Sequence, residues 1–268
     1  MKQKLLLLKN KYSMLLEKIG LTSFQIKVIA IIIMFIDHFA ASCVYKYIMA
    51  QRIPFSNNSS EPIIRMYRIM RNIGRMAFPI FIFFLIIGFV HTKSKWKYLI
   101  RLFIFSFIAE IPFDLALHQT SFTLKNGIIE FYYQNVFFTL TLGFIAIFII
   151  DTCREKIPVK WLWIFFVPLI TFAFYKLGDF LRVDYRGWGV VAIIGCYLLK
   201  EYPQIGAILV CSILSYKLGG YEKYCFYSLI PIFLYNGKRG YDMKWFFYAF
   251  YPCHLLFIFI VDLIMRIY

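Results

Sequence analysis

Residues 28–44 read VIAIIIMFIDHFAASCV, an apolar run whose middle is interrupted by Asp37 and His38. The run lies within a longer apolar segment, Phe24–Tyr47, which exceeds the roughly 20 residues that a helix needs to cross a bilayer. Inside lipid every backbone polar group must be satisfied within the segment, and a helix achieves this. The segment therefore predicts a transmembrane helix that carries two polar side chains near mid-membrane.

The composition extends this interpretation to the whole chain. Hydrophobic residues make up 61% of it and charged residues only 16%, with 31 Phe and 20 Tyr. A soluble domain needs more polar surface than this. We therefore predict an all-α, polytopic integral membrane helix bundle with about nine transmembrane helices. The predicted spans are Phe24–Tyr47, Met76–Val90, Tyr98–Leu117, Asn135–Thr152, Trp161–Lys176, Gly187–Leu199, Ile205–Leu218, Tyr224–Tyr235 and Phe246–Met265.

The formal net charge of +16 is distributed in short clusters between the apolar runs. Anionic headgroups and the positive-inside rule favour such clusters, so membrane lipid is the expected partner and nucleic acid is not. Residues 1–20 are predicted to be a basic cytoplasmic leader, and residues 21–268 one transmembrane domain. An N-terminus in the cytoplasm places the Met49–Pro62 loop and the arginines of Arg65–Arg75 outside. That group opposes the rule, so either this topology is wrong or these arginines are kept for a function, and we favour the second explanation.

The six cysteines are scattered and form no CxxC pair, so neither a metal site nor a disulfide framework is indicated. We expect no metal. No GxGxxG, P-loop or GxSxG motif is present, which leaves soluble nucleotide-binding and hydrolase folds without support.

Asp37 and His38 are the most informative polar pair, because an ionised side chain at mid-membrane costs about 3 kcal/mol. Neighbouring residues on a helix point about 100° apart, so the two cannot simply pair with each other. We expect both to face a shared polar cavity, each with a partner from another helix. Histidine exchanges protons near neutral pH, which favours chemistry. An interhelical polar clamp is the alternative.

Glu110 and Asp114 are four residues apart on one helix face, and Pro112 lies between them. Two carboxylates there repel unless a cation or a shared proton intervenes. The Arg71 and Arg75 group is the candidate cation. A structural ion-pair network is as reasonable here as direct chemistry.

Two further positions complete the polar set. Arg75 opens a span, and its planar guanidinium suits a phosphate. Arg65 and Arg68 are expected to extend towards lipid headgroups. His254 lies beside Pro252 in the last span, where it either packs between helices or shares a cavity with His38. Two histidines alone give little support for a metal.

The order of these motifs resembles the TraX family over nearly the whole chain after the leader. The matching segments are IIIMFIDHFA (31–40), IGRMAFPIFIFFLIIGFVHT (73–92), RLFIFSFIAEIPFDL (101–115), QNVFFTLTLGFIAI (134–147), DYRGWGVVAIIGCYLL (184–199) and FYAFYPCHLL (247–256).

The resemblance implies a membrane-embedded acetyltransferase of the bacterial cytoplasmic membrane, similar to those that acetylate pilin N-termini. The wider class of transmembrane acyltransferases uses acetyl-CoA and a histidine in an early span. The acceptor is expected to be an amine or hydroxyl of a peptide, pilin or glycan. A proton-coupled transporter or flippase is the alternative, but it predicts two related halves, and none is evident.

The same resemblance suggests roles for single residues. His38 is the candidate general base, or an acyl relay, and Asp37 or Glu110 is expected to orient it. Asn135 and Tyr185 are expected to stabilise the oxyanion, and Arg186 replaces a glycine common in the family. The expected sets are catalytic His38, Asp37, Glu110 and Asp114; cofactor-binding Arg75, Arg71, Asn135 and Tyr185; and substrate-binding His254 and Asp184.

Overall fold

The computed structural model describes residues 17–53, 61–118, 133–157, 159 and 161–267. Most of the predicted leader, and the centre of the loop predicted between Met49 and Pro62, lie outside these residues. Within them the regular elements are all helical, and β-type pairing is limited to two isolated bridges. The predicted all-helical class is confirmed.

Eleven α-helices and three other helical turns follow one another along the described ranges. The three other turns are π-helical turns at Ala40–Val44 and Asp114–His118 and a 3₁₀ helix at Gly220–Ser228. The α-helices are α1 Ser23–Phe39, α2 Tyr45–Ala50, α3 Pro62–Gly74, α4 Ala77–His91, α5 Lys95–Phe113, α6 Val136–Lys156, α7 Trp163–Phe180, α8 Arg186–Leu198, α9 Pro203–Leu218, α10 Leu229–Phe233 and α11 Lys244–Ile267.

Five helical segments in the described ranges are long and apolar enough to cross a membrane. Two shorter apolar helices accompany them, Arg186–Leu198 and Pro203–Leu218. These lengths agree with a multi-pass helical membrane protein, while the total of about nine crossings stays a prediction. The five segments are Ser23–Ala50, Pro62–His91, Val136–Lys156, Trp163–Phe180 and Lys244–Met265.

Helix α7 shows the lipid-facing character of the exterior. Only 6% of its 18 residues are buried, and Phe165 and Leu169 are 68% and 64% exposed. Large apolar side chains so exposed would be unfavourable in water but suit a hydrocarbon environment. The outside of this bundle is therefore built for lipid.

Contacts between successive helices define two ends of the bundle. Ile48 of α2 packs with Ile64 of α3, and we call this the site end. Lys27 near the start of α1 lies 5.1 Å from the Phe84 ring centroid in the middle of α4, and we call the end towards which α4 continues the distal end. The paired helices α1–α2 and α3–α4 therefore run in opposite directions, as membrane hairpins do.

Close packing at Gly74 fixes the break between α3 and α4. A Cβ atom at this position would collide with the Asp37 side chain of α1. Arg75 and Met76 form the turn, and Pro79 lies in the first turn of α4, where its missing N–H costs little. The absence of a side chain at Gly74 thus brings Arg75 against the polar last turn of α1.

Candidate active site

The polar residues of α1 and α3 line two adjoining cavities of about 350 and 490 Å³. The smaller one, the inner chamber, is lined by Asp37 and His38. The larger one, the outer chamber, is lined by Arg186 and Glu222 at the site end. The shared lining shows that the two chambers are continuous. Both are lined by Arg71, Arg75, Tyr133, Asp184 and Tyr185.

Two guanidinium groups hold Asp37 in the wall of the inner chamber. Arg75 Nη2 donates to Asp37 Oδ1 and Oδ2 at 2.9 and 2.8 Å, and Arg71 Nη1 lies 2.7 Å from Oδ1. Arg75 Nη1 also donates to Glu222 Oε1 at 2.8 Å, and its Nε to the Arg71 carbonyl at 3.3 Å. Forked, charge-assisted contacts of this kind fix a guanidinium in one orientation. Arg75 is thus the rigid centre of this cluster.

His38 pairs with His254 of α11 rather than with Asp37. His38 Nδ1 lies 2.7 Å from His254 Nε2, and His254 Nδ1 lies 2.9 Å from the Phe250 carbonyl oxygen. A carbonyl only accepts, so His254 carries its proton on Nδ1 and, as a neutral ring, accepts on Nε2. His38 then donates from Nδ1. This assignment, inferred from the hydrogen-bond network, leaves the lone pair of His38 on Nε2.

This arrangement confirms one prediction and corrects another. Asp37 and His38 do face a shared cavity with partners from other helices, as the helix geometry predicted. The residue that orients His38 is His254, so the expected contact from Asp37 or Glu110 was wrong. His254 is 4% exposed and lines neither chamber. Its direct contact is with His38, not with a ligand space.

The carboxylates of α5 are placed behind the chamber wall. Glu110 and Asp114 are 6% and 1% exposed, and Phe113 between them lines the inner chamber instead. The expectation that Arg71 and Arg75 neutralise them was wrong, because those arginines bind Asp37 and Glu222. Direct participation of Glu110 or Asp114 in chemistry would need them to reach past this wall.

Asn135 has a different role from the one expected. Its side chain is fully buried, donates to the Ser106 carbonyl at 2.8 Å and to Glu110 Oε2, and accepts from Phe137 N–H at 2.9 Å as the cap of α6. With its amide committed on both sides, it has no donor left for an oxyanion or a cofactor. Asn135 instead positions Glu110 against the start of α6.

The loop before α8 brings Asp184 and Tyr185 to both chambers. The Tyr185 ring stacks on Phe78 at 3.9 Å between centroids, and Asp184 Oδ1 accepts from the Tyr185 N–H at 3.0 Å. Tyr185 and Arg186 both have left-handed backbones, with φ of 61° and 48°. Glycine adopts this conformation at lower cost, which explains the glycine common at the Arg186 position.

Glu222 is a site residue that the sequence analysis missed. It lies in the 3₁₀ helix, is 9% exposed, and its Oε2 has no hydrogen-bond partner among the described residues. The signal that pointed to it was weak: one acid after Gly219 and Gly220, at the edge of an apolar run. Its pairing with Arg75 spans 147 positions of the chain, which no local pattern reveals.

A metal centre finds no support in the parts of the chain that the structure describes. These parts contain no cluster of three or more His, Cys, Asp or Glu side chains that could hold a metal ion. The two histidines that meet contact each other through one ring nitrogen each.

Comparisons with known proteins identify the family. The profile described as "TraX protein" matches residues 23–262. A probable fimbrial assembly protein FimC, serogroup H1, from Dichelobacter nodosus is 30% identical over 271 residues, which cover 89% of this chain and 95% of that protein. No solved structure matches the chain significantly. The chain belongs to the TraX family, as its motif order predicted.

Proposed function

We propose that this TraX-family protein is a membrane-embedded acetyltransferase that moves an acetyl group from acetyl-CoA to an amine of a peptide acceptor of the pilin type. One observation carries the proposal. The chain of hydrogen bonds from the Phe250 carbonyl through His254 holds the ring of His38, which lines the inner chamber, and leaves the lone pair of its Nε2 without a hydrogen bond to the described residues.

The family and the relative support the acceptor class. The chain belongs to the TraX family, a resemblance that implies acetylation of pilin N-termini, and the relative from Dichelobacter nodosus is named a probable fimbrial assembly protein. An amine or hydroxyl of a glycan is the other acceptor of the same chemistry.

The proposed reaction assigns one proton transfer to His38. An ammonium has no lone pair, so Nε2 of His38 first takes a proton from the acceptor. The amine nitrogen then attacks the thioester carbonyl carbon, the C–N bond forms, the C–S bond breaks, and the nitrogen loses its second proton to water to become the neutral amide. The coenzyme A thiolate leaves and takes up the proton from His38, which ends the cycle unprotonated. His254 holds the ring in the productive tautomer throughout, as the third member of a triad does.

The arginine cluster supplies the frame and the charge balance of the chamber. Arg75 fixes Asp37 and Glu222, and Arg71 shares Asp37. The developing oxyanion of the thioester needs a donor, and the Tyr185 hydroxyl and the Arg71 guanidinium belong to residues that line the same chamber as His38. A phosphate of coenzyme A would have to displace a carboxylate to reach Arg75. We therefore assign Arg75 to holding Asp37 and Glu222 in place rather than to binding acetyl-CoA.

The position of the outer chamber suggests the route of the acceptor. The chamber lies at the site end, opposite the end at which α1 begins. With the lysine-rich leader in the cytoplasm, the site end faces outwards. A secreted or membrane-inserted peptide would therefore enter from outside through the outer chamber.

Calorimetry with purified protein in detergent tests the donor. We expect saturable binding of acetyl-CoA and, with a free-amine peptide present, release of coenzyme A. His38→Gln is the matched variant: it should bind acetyl-CoA as tightly as the parent protein and release coenzyme A far more slowly. Folded parent protein that binds no acetyl-CoA would overturn the acetyltransferase proposal and favour the transporter alternative.

A further inference from the structure

The outer chamber carries a carboxylate that the proposed reaction does not yet use. Glu222 is 9% exposed and lines this chamber, while Oε1 accepts from Arg75 and Oε2 has no hydrogen-bond partner among the described residues. A buried carboxylate oxygen without a donor costs free energy comparable to a lost hydrogen bond or more. A bound ligand that donates a hydrogen bond to Oε2 would remove this free-energy cost.

Asp184 brings a second carboxylate to the same space. It lines both chambers and lies close enough to Arg75 and Glu222 to interact with them electrostatically. The structure records one hydrogen bond on its side chain, from the Tyr185 N–H to Oδ1. Asp184 thus connects the chamber that holds Glu222 with the chamber that holds His38.

The charges around this space decide what it binds. Three carboxylates and three guanidinium groups line the two chambers, so their formal charges balance. Arg71 and Arg75 are paired with Asp37 and Glu222, while Asp184 and Arg186 are exposed and form no ion pair with a residue that the structure describes. A ligand cation would find Asp184 unpaired and Glu222 Oε2 without a donor, whereas an anion would compete with carboxylates already bound to the arginines. The residues concerned are Asp37, Asp184 and Glu222 with Arg71, Arg75 and Arg186.

We propose that Glu222 and Asp184 form the binding site for the acceptor amine in its charged, ammonium form, before His38 deprotonates it. This inference rests on the proposed acetyl transfer and deepens it. The ammonium donates to Glu222 Oε2 in the outer chamber and passes along Asp184 to the inner chamber. The ammonium carries three N–H donors, which match three acceptors: the carboxylates of Glu222 and Asp184 and the ring nitrogen Nε2 of His38.

The proposed site also predicts acceptor selectivity. A hydroxyl carries no charge and offers a single donor, so it leaves one carboxylate without a partner. Sites built to pair a substrate donor reject analogues that lack it. The enzyme should therefore prefer a peptide with a free N-terminal amine over the same peptide without that amine.

Peptide binding in the absence of acetyl-CoA tests the inference separately from the reaction. The probes are a short peptide with a free N-terminus and its des-amino counterpart, titrated into purified full-length protein. The parent protein should bind the free-amine peptide about tenfold more tightly or better, from charge-assisted hydrogen bonds. Glu222→Gln, which keeps an oxygen for Arg75 but removes the charge, should lower this preference to about threefold or less.

Two further variants make the result decisive. Asp184→Asn should also reduce the preference, and it leaves both partners of Arg75 in place. Glu201→Gln, at an exposed acid outside both chambers, should keep the full preference. Equal binding of the two peptides by the parent protein, or a full preference in both Glu222→Gln and Asp184→Asn, would overturn the inference. Acetyl-CoA is absent from these titrations, so the peptide preference does not depend on catalysis. A protein that shows the preference but transfers no acetyl group would count only against the proposed reaction.

Discussion

Two clusters in this bundle place one aspartate between two cations. At the site end Asp37 lies between Arg71 and Arg75, with carboxylate contacts of 2.7–2.9 Å. At the distal end Asp151 of α6 accepts from Lys95 on Oδ2 and from Lys200 on Oδ1 at 3.2 Å. Both aspartates are largely buried, at 7% and 6% exposure. By charge and burial alone the two clusters are alike.

The surroundings of the two aspartates differ. The Tyr197 hydroxyl also donates to Asp151, so both carboxylate oxygens are satisfied, and Asp151 lines neither chamber. The site-end cluster borders the cavities, and no described residue forms a hydrogen bond with Glu222 Oε2. We interpret the distal cluster as a structural clamp and the site-end cluster as the reaction centre. Access to a cavity, not the presence of charge in a span, separates the two.

The largest expected effect is that of His38→Gln on the site-end cluster. Removal of a general base should reduce acetyl transfer by about 10²–10⁴-fold. Glutamine keeps the size and hydrogen-bonding capacity of the side chain, so the fold should persist. Single-turnover transfer with size-exclusion profiles measures both. A rate near that of the parent protein would make the histidine pair structural, like Asp151.

Arg75→Lys should give the next largest loss. A lysine replaces the planar fork by a single point charge, so it cannot hold both Asp37 and Glu222 as Arg75 does. We expect transfer to fall by about tenfold or more, from the loss of about 1.5–3 kcal/mol in charged hydrogen bonds. The matched change at the distal end is Lys95→Arg, which keeps the charge beside Asp151 and should leave transfer unchanged. Equal effects of the two substitutions would remove the distinction between the clusters.

His254→Gln should have a smaller effect than His38→Gln. The glutamine carbonyl can still accept from His38 Nδ1, so part of the orientation is retained. We expect about a tenfold slower transfer, and a larger loss for His254→Leu, which leaves the buried Nδ1–H of His38 without an acceptor. Rates of the two variants, compared after folding controls, check this order. If His254→Leu is as active as the parent protein, His254 does not position His38.

Asp151→Asn should change stability rather than chemistry. Loss of the carboxylate leaves Lys200 without its counter-charge, whereas Lys95 keeps Glu155 at 3.7 Å and has 27% of its side chain exposed. We expect a cost of about 2 kcal/mol, below the roughly 3–5 kcal/mol of a fully buried pair. Thermal midpoints in detergent report this loss. Transfer per folded molecule should stay within about twofold of the parent protein, and a larger fall would connect the distal cluster to the reaction.

The sequence was sufficient for the helical membrane class and for the importance of α1. Helix geometry alone predicted that Asp37 and His38 point to different partners, and the structure confirms it. The order of the motifs along the chain predicted the TraX family. The helical class and the directions of Asp37 and His38 follow from local rules, because apolar length and the angle between neighbouring side chains need no knowledge of the rest of the fold.

The partners themselves could not be predicted, because they come from distant parts of the chain. His38 and His254 are 216 positions apart, and Arg75 and Glu222 are 147 apart. Asn135 and Glu110 illustrate the opposite difficulty. Their motifs matched the family, but only the packing of Phe113 shows that they lie behind the chamber wall. Sequence motifs marked polar positions without distinguishing cavity from core.

Acetylation of one free-amine peptide by three proteins tests the central claim most directly. Purified parent protein, Asp151→Asn and His38→Gln are each incubated with acetyl-CoA and the peptide, and the acetylated N-terminus is quantified by mass spectrometry per folded molecule. We predict acetylated peptide from the parent protein and from Asp151→Asn in similar amounts, and a near absence of it from His38→Gln. Equal acetylation by all three proteins, or acetylation lost in Asp151→Asn and kept in His38→Gln, would contradict the assignment of the site-end cluster as the reaction centre.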